Sequence, residues 1–264
     1  DLADARDFVT GIDALHEQAQ QAGVLVVSGA STVPALSSAV IEHYQQHFSR
    51  LDRLQHGITP GQKSPRGLAT TLSILTYLGK PIKSKLSHSS TRYGWQDMYR
   101  QIYPELGKRW MANCDVPDLD LFVDRYGLSD IRFSAGMEST MLHIGMWFCA
   151  WCVRLRLPIN FAKHARFLLR ASHWFDRFGS DAGGMHVVLS GVDHQGEPLR
   201  LTWFLIAKAG DGPRIPTMPA VILAEQLLHG NMQLRGAQAC VGLIGLSDYL
   251  QALAPYAVSS QVTM

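Results

Sequence analysis

The chain has 264 residues, of which 47% are hydrophobic and 17% are charged, and its formal net charge is +2. This composition excludes an intrinsically disordered chain, and the length allows either one large domain or two. The small net charge gives no general reason to expect a nucleic-acid partner, so any electrostatic argument has to be local. Four cysteines without regular spacing, and a start without a signal-peptide pattern, indicate reduced thiols in a cytoplasmic protein.

The first 40 residues predict a helix, a strand and a second helix. Residues 4–22 have an amphipathic pattern, and Val24 to Val27 form a short apolar run typical of a strand that is covered on both faces. A turn of small residues follows, and Pro34 suits the first turn of the next helix. Because ligands of open α/β sheets bind beyond the carboxyl ends of such strands, residues 28–34 are the first predicted site.

The same turn also fits a plain, tight βα connection without a ligand. A hydrolase nucleophile elbow is excluded, because it requires G-x-S-x-G and Gly29-Ala30-Ser31-Thr32-Val33 ends in valine. No metal site is expected on the helix that follows. His43 and His47 are one turn apart there, but Tyr44 stands where a metalloprotease carries glutamate.

The next segments predict a helix and two turns. Ser64 and Pro65 predict the start of a helix that ends near Leu78, with Arg66 in its first turn. A cation there opposes the helix dipole, so Arg66 either binds an anionic partner or lies on the surface. Residues 80–88 fit an exposed strand, and residues 93–97, YGWQD, fit an aromatic turn.

Residues 110–118, WMANCDVPD, predict a second turn before a helix at residues 119–126. The polar side chains of this turn, Asn113, Asp115 and Asp118, are predicted to cap the helix, because Asn and Asp commonly hydrogen-bond nearby backbone groups. A role in ligand binding is the alternative.

Residues 131–138 predict a strand, and residues 139–153 an uncharged helix that is shorter than the roughly 20 residues needed to span a bilayer. The helix after it, residues 158–178, carries one basic stripe. Between residues 151 and 180 there are six Lys and Arg side chains and one acidic side chain, a local charge of +5. Such a face can lie on an anionic membrane surface, or it can be solvated. The stripe consists of Lys163, Arg166, Arg170, His173 and Arg177.

The last third of the chain predicts a glycine-rich entry into a β-hairpin at residues 185–207, a helix at residues 221–229 and a short helix capped by Ser247. His186, on the first hairpin strand, is the one candidate whose ordinary pKa allows proton exchange near neutral pH. It is either an acid or base, or a buried, hydrogen-bonded strand histidine.

Seven segments of the sequence are taken together: DLADARDFV (1–9), SGASTVPALSSAV (28–40), SPRGLAT (64–70), YGWQD (93–97), NCDVPDL (113–119), RFGSDAGGMHV (177–187) and IPTMPAVILAEQLLHG (215–230). Together they resemble the bacterial branch of the saccharopine dehydrogenase-like oxidoreductases. The resemblance extends over nearly the whole chain and implies an α/β plus α+β fold, in which the remnant of a Rossmann sheet precedes a mixed-sheet α+β domain with an apolar helical pair. The N-terminal Rossmann half would be absent, so we expect a C-terminal fragment; neither G-x-G-x-x-G nor G-x-x-x-x-G-K occurs in the sequence.

The resemblance implies three domains. Residues 1–57 would be the C-terminal portion of the nucleotide domain, residues 58–212 a substrate and dimerisation domain, and residues 213–264 a helical segment that returns to the nucleotide domain. The implied activity is hydride transfer between NAD or NADP, bound only by the full-length protein, and a carbonyl, imine or enoyl group. A homodimer is expected.

The substrate stays open. A saccharopine-like substrate would need a cluster of arginines, whereas the apolar helix and its basic neighbour favour a hydrophobic or membrane-associated substrate. The alternative function is a membrane-surface or protein-interaction module that uses residues 139–178. The arginines available for a cluster are Arg66, Arg109, Arg132 and Arg177.

By the same resemblance the predicted site residues fall into three groups, and no metal is expected. The catalytic candidates are His186, Asp181 and Asp115. The residues expected to face the nicotinamide are Ser28, Gly29, Ala30, Ser31 and Pro34. The residues expected on the substrate side are Arg66, Trp95, Asp97, Asn113 and Arg177.

Overall fold

The structure is a computed structural model that describes residues 1–86 and 90–264. In this part of the chain the strands are β1 Leu25–Ser28, β2 Arg50–Thr59, β3 Pro81–Ile82, β4 Arg92–Tyr93, β5 Tyr99–Tyr103, β6 Gly107–Asn113, β7 Asp130–Met137, β8 Gly183–Val192, β9 Pro198–Ala207, β10 Gly236–Ala239 and β11 Val258–Thr263. Seven of these described strands form one mixed sheet in the order β11-β9-β8-β2-β7-β6-β5. Neighbouring strands in it are antiparallel except β2 and β7, which are parallel.

The helices lie between these strands. In the described part of the chain the α-helices are α1 Arg6–Thr10, α2 His16–Gln21, α3 Ser37–Tyr44, α4 Leu68–Tyr77, α5 Asp118–Tyr126, α6 Thr140–Arg154, α7 Ala165–Ser172, α8 Met218–Leu228 and α9 Leu246–Leu253. Shorter 3₁₀ turns extend several of them; those on either side of α7 are Phe161–His164 and His173–Phe178. None of the helices in the described ranges is long and apolar enough to cross a membrane.

One face of the sheet forms the main hydrophobic core. Side chains alternate along a strand, and on β8 the alternate residues Met185, Val187 and Leu189 are buried in this core. Helices α3, α5, α8 and α9 contribute the other half of the core. At the far end of the same face, α4, α6 and α7 pack around Trp95 and Ala112 in a separate cluster.

The opposite face is concave, because the sheet curls until its edge strand β5 contacts β8 and β9. Tyr103 of β5 packs edge-on against His186 of β8 and Phe204 of β9, with ring centroids 5.5 and 5.8 Å apart. Three strands separate β5 from β8 in the sheet order. Gly57 of β2 lies under this contact, where a Cβ atom would be 2.4 Å from the carbonyl oxygen of Ser134.

The predicted fold class is confirmed: the chain forms a mixed α/β structure with a curled sheet and helices. The strand at residues 131–138, the hairpin at residues 185–207, and the helices at residues 139–153 and 221–229 are confirmed as β7, β8 with β9, α6 and α8. The first strand is confirmed as β1, but its expected burial on both faces is wrong. Val24 is 48% exposed, and β1 pairs with β10 in a separate parallel pair of strands.

Several local predictions are wrong. Residues 110–113 are strand rather than turn, since they end β6, which pairs with β7. The helix expected from Pro65 begins at Leu68, and Gly245 rather than Ser247 occupies the cap position of α9. Of the strand expected at residues 80–88, Pro81–Ile82 is strand, and residues 87 and 88 lie outside the described residues.

The division into three domains stays a prediction. Its boundary at residues 57 and 58 falls inside β2, and β10 of the last segment lies beside β1 of the first.

The curl of the sheet gives a test based on two glycines. Gly57→Ala should lower the free energy of unfolding by about 2 kcal/mol or more, because the new methyl group meets a backbone oxygen that cannot move aside. Gly145→Ala, in α6 with nothing within 4 Å of the added Cβ, should raise stability by about 1 kcal/mol. Urea unfolding of both variants measures the two values, and equal effects would contradict the role given to Gly57.

Candidate functional site

The polar residues of the WMANCDVPD segment do not cap the helix that follows them. Helix α5 has Pro117 at its cap position and no side-chain cap, so the predicted capping role is wrong. Asp118 is fully buried and accepts hydrogen bonds from the Ser37 hydroxyl at 2.5 Å and from His56 Nε2 at 2.8 Å. These contacts bind α3, α5 and β2 together.

Asp115 is held by the buried Arg6. The Arg6 guanidinium donates to Asp115 at 2.9 Å, to Asp120 at 2.6 and 2.5 Å, and to the carbonyl oxygen of Lys83 at 2.8 Å. Burial lowers the pKa of Arg6, but the hydrogen bonds and charges of Asp120 and Asp115 outweigh this effect and raise it above its ordinary value. The first helix is therefore tied to the start of α5 by a permanently charged network.

The aromatic turn and Asn113 are brought together as one unit. Asn113 Nδ2 donates to the Asp97 carboxylate at 2.7 Å and to the Tyr93 carbonyl at 3.2 Å, and the Trp95 amide donates to the Asn113 carbonyl at 2.8 Å. Trp95 and Asp97 both have positive φ, 59° and 53°. Three of the predicted substrate-side residues, Trp95, Asp97 and Asn113, thus lie together where the turn meets the end of β6.

Beside this turn lies a small cavity of about 30 Å³, room for one or two water-sized groups. Three basic residues, Lys83, Arg92 and Arg132, contribute to its wall together with Asn113 and Cys114. Burial raises the pKa of the Cys114 thiol to about 12, so it is a neutral thiol, and its sulfur lies 2.9 Å from the Tyr77 hydroxyl. The remaining wall residues are Ile82, Ser84, Ser90, Leu119, Ile131 and Phe133.

Arg132 belongs to this wall, and neutral groups hold its guanidinium. It donates to the carbonyl oxygen of Asp97 and its guanidinium stacks on the Tyr99 ring at 4.6 Å, while its buried Nε has no partner. Burial and the nearby charge of Arg92 lower the pKa of Arg132. Arg92 itself is paired with Asp130 at 2.7 Å. An unpaired buried N–H on a cation is a favourable partner for an anionic group.

His186 lies inside the curl and is fully buried. The Tyr103 hydroxyl is 2.7 Å from its Nδ1 and the Tyr99 hydroxyl is 3.2 Å from its Nε2. Burial, together with the charges of His56 and Arg132, lowers the pKa of His186 to about 3, so the ring is neutral at physiological pH. This is the geometry of a buried, hydrogen-bonded strand histidine, the second of the two roles that the sequence allows for His186.

Arg66 lies in a second polar group, before α4 rather than in its first turn. It donates to Asp176 and to the Gln62 carbonyl, and it lies 2.9 Å from His173 Nδ1. Burial raises the pKa of Asp176, but the hydrogen bonds from Arg66, His173 and Gln62 bring it down to about 2. The anionic partner of Arg66 is therefore a carboxylate of this chain.

Two other predicted residues lie near that group in sequence but outside its contacts. Arg177 is exposed and stacks on Phe178 at 5.2 Å, and Asp181 is partly buried in the loop before β8. Among the described residues, no hydrogen bond or ion pair joins the Arg66 group to the Asn113 turn, and no cluster of His, Cys, Asp and Glu could hold a metal ion.

The turn after β1 is buried and its donors are already used. Asp1 accepts hydrogen bonds from Gly29 N at 3.2 Å and from Ser28 Oγ at 3.1 Å, and the Ala30 amide donates to the Asp1 carbonyl at 2.8 Å. Ser31 is 7% exposed, and a Cβ on Gly29 would meet Pro34 at 2.8 Å. Because these amides are already hydrogen-bonded, the turn does not fit a dinucleotide phosphate, which needs free backbone N–H groups. Its predicted role toward the nicotinamide stays a prediction.

The sequence indicates the aromatic turn and Asn113 but not the rest of the cavity wall. Lys83, Arg92, Cys114 and Arg132 come from four separated segments, so no spacing within one element marks them. The alternation of β7 does not mark the wall either, because Arg132 lies on the face opposite Ile131 and Phe133 and all three contribute to it.

The buried histidine predicts a pH dependence of stability. Unfolding returns His186 to its ordinary pKa of about 6.5, so its stabilising contribution is complete above pH 6.5 and is lost as the pH falls toward about 3. At about pH 5 the loss is about 2 kcal/mol. His186→Gln should show a correspondingly smaller fall in unfolding free energy between about pH 7.5 and about pH 5, measured with urea.

A matched control for this measurement is His164→Gln, which removes an exposed histidine. Comparing two pH values within each variant cancels any general loss of stability from the substitution. An equal pH dependence in His186→Gln and His164→Gln would contradict the assignment.

Comparison with known proteins places the fold. No protein-family model and no curated protein sequence matches the chain. Among solved structures, the chain is similar to apo histidine-tagged saccharopine dehydrogenase (L-Glu forming) from Saccharomyces cerevisiae, with a TM-score of 0.59 over 94% of this chain and 77% of that chain. The sequence identity is 11%, so the likeness is one of fold.

Proposed function

We propose that this chain is the substrate-binding portion of an NAD(P)-dependent oxidoreductase that transfers hydride between a nicotinamide and a carbonyl, imine or enoyl group. The observation that carries the proposal is the likeness of fold to saccharopine dehydrogenase, which extends over 94% of the chain. The cofactor supplies the hydride chemistry in such enzymes, and the protein supplies binding, orientation and charge.

The parallel pair of β1 and β10 supports a nucleotide-binding sheet that is completed by other strands. Parallel sheets are normally covered on both faces and contain more than two strands. Here the apolar residues 25–27 are only partly buried, and in the described part of the chain β1 has β10 as its strand neighbour. We therefore assign the phosphate-binding glycine loop to strands outside this chain, which makes the chain a fragment of the working enzyme.

The cavity wall supports an anionic group on the substrate. Three basic residues, Arg132, Lys83 and Arg92, contribute to this wall and give it positive charge. A carboxylate accepts charge-assisted hydrogen bonds from guanidinium groups, and about 30 Å³ suits such a small group rather than a whole substrate. The rest of the substrate would then lie outside the cavity.

We assign a positioning role to His186. It has no exposed surface, so it does not reach a substrate, but it hydrogen-bonds Tyr99, and the Tyr99 ring supports the guanidinium of Arg132. Asp115 is held by Arg6, and neither Asp115 nor Asp181 is among the described residues that line the cavity, so we assign neither of them as the group that transfers the proton.

Dinucleotide binding tests the function itself. A ligand at about 100 times its Kd raises the free energy of unfolding by about 2.7 kcal/mol. We expect NADPH or NADH to stabilise a protein that includes the upstream coding sequence, and to leave the chain of residues 1–264 unchanged in thermal unfolding. Stabilisation of this chain alone would contradict the assignment of the phosphate loop, and stabilisation of neither would contradict the oxidoreductase proposal.

The substrate side is tested in the longer protein with paired substrates. Carbonyl, imine and enoyl compounds are supplied as carboxylates and as methyl esters, and NADPH or NADH oxidation is followed. Arg132→Gln should reduce the preference in kcat/KM for the carboxylate at least about tenfold, because it removes a charged donor. The control variant Arg200→Gln, at an exposed position on β9, should show the same preference for the carboxylate as the unchanged protein. An unchanged preference in Arg132→Gln would exclude the cavity as the carboxylate site.

A further inference from the structure

We infer that the helical stretch from Phe161 to Phe178 binds the surface of an anionic membrane. The surface concerned, called the basic aromatic face below, is independent of the cavity and of the proposed oxidoreductase activity. It consists of Lys163, Arg166, Phe167, Arg170, Trp174, Arg177 and Phe178.

The aromatic residues of this face are unusually exposed. Phe167 is 70% exposed, Trp174 74% and Phe178 79%. Single exposed apolar residues are ordinary, but three large aromatic rings within twelve residues form a patch of the kind that marks an interaction site.

Helix geometry puts the basic and aromatic side chains on one side. The opposite side carries Ala165 and Leu168, which pack against α4 and α6. With about 100° of rotation per residue, Lys163, Arg166, Phe167 and Arg170 fall within roughly a third of the helix circumference. Phe167 therefore lies on the same side as these basic residues, and Trp174 and Phe178 follow in the 3₁₀ turn His173–Phe178.

The positive charge of this face is not neutralised within the chain. No ion pair to Lys163, Arg166 or Arg170 is found in the described ranges, 1–86 and 90–264. The acidic residue of the stretch, Asp176, is bound to Arg66 and His173. Basic residues near an anionic bilayer each strengthen binding about fivefold, since each contributes about 1 kcal/mol.

The surroundings of the face favour lipid over other anionic partners. The loop that leads into it exposes Leu155, Leu157 and Ile159, at 66, 46 and 44%. Aliphatic side chains gain little from nucleic acid but insert readily among acyl chains, to a depth of about 5–10 Å. A second copy of the chain is disfavoured, because a symmetric contact would bring one basic face against another.

The charge requirement is tested by co-sedimentation with vesicles. The chain should bind vesicles with about 30% phosphatidylserine at low salt and should bind neutral phosphatidylcholine vesicles far more weakly. A triple variant, Lys163→Gln, Arg166→Gln and Arg170→Gln, should bind about a hundredfold more weakly. The control triple variant, Lys108→Gln, Arg200→Gln and Arg235→Gln, has the same net charge and should bind like the original chain.

Insertion of the rings is tested separately. Quenching of tryptophan fluorescence by brominated anionic lipid should fall in Trp174→Phe, while the vesicle affinity stays within a few fold. A triple variant that removes the three rings, Phe167→Ser, Trp174→Ser and Phe178→Ser, should no longer sediment with the vesicles. A control triple variant at similarly exposed positions, Phe8→Ser, Ile102→Ser and Leu228→Ser, should still sediment with them.

Three results would overturn the inference. The first is no binding to anionic vesicles at low salt, and the second is equal binding by the two charge variants. The third is tight binding of polyuridylate through the same three basic residues with no vesicle binding, which would identify the partner as nucleic acid.

Discussion

The contact between β5 and β8 across the concave face is the constraint on which the rest of the structure depends. Tyr103 reaches His186 and Phe204 from the edge of the sheet, so the sheet has to bend over a distance of several strands. The bend requires Gly57 beneath it, where any side chain would meet the backbone of β7. Once the concave face is filled by its own side chains, the helices of the two larger clusters pack on the other face.

The same contact lies close to Arg132, one of the basic residues of the cavity wall. Tyr99 and Tyr103 occupy both ring nitrogens of His186, and burial keeps the ring neutral. A protonated imidazole beside Arg132 would add a second buried positive charge without a carboxylate to balance it. With the histidine neutral, the Tyr99 ring lies against the guanidinium of Arg132, a residue that also contributes to the cavity wall. The interior network thus has a structural role, and through Arg132 it would bear on the proposed substrate site.

The helices and strands that the sequence predicts correctly are those in which apolar side chains follow a recognisable pattern along the chain. The hairpin of β8 and β9 and helix α6 belong to this class. Strands β2, β5 and β6 were missed, because the curl lets polar residues such as Gln55 and Tyr99 face inward and the strands then lack a hydrophobic alternation. Asp118 was predicted as a cap for a related reason: its partner His56 is 62 residues away, and no local pattern indicates such a pair. The cavity was missed because its basic residues come from separate segments, Lys83 from the loop after β3, Arg92 from β4 and Arg132 from β7.

The aromatic turn connects the cavity with the layer of α4, α6 and α7. Trp95 is buried in the cluster that these helices form, and its amide bonds the carbonyl of Asn113, which contributes to the cavity wall. The basic aromatic face is the outer side of the same layer, and nothing in the packing requires phenylalanine or tryptophan there, since the rings are exposed. One helix is about 10 Å thick. A chain bound to lipid through this face would therefore hold the cavity about one helix layer from the membrane, close enough for a substrate with an anionic group and an apolar tail to reach both.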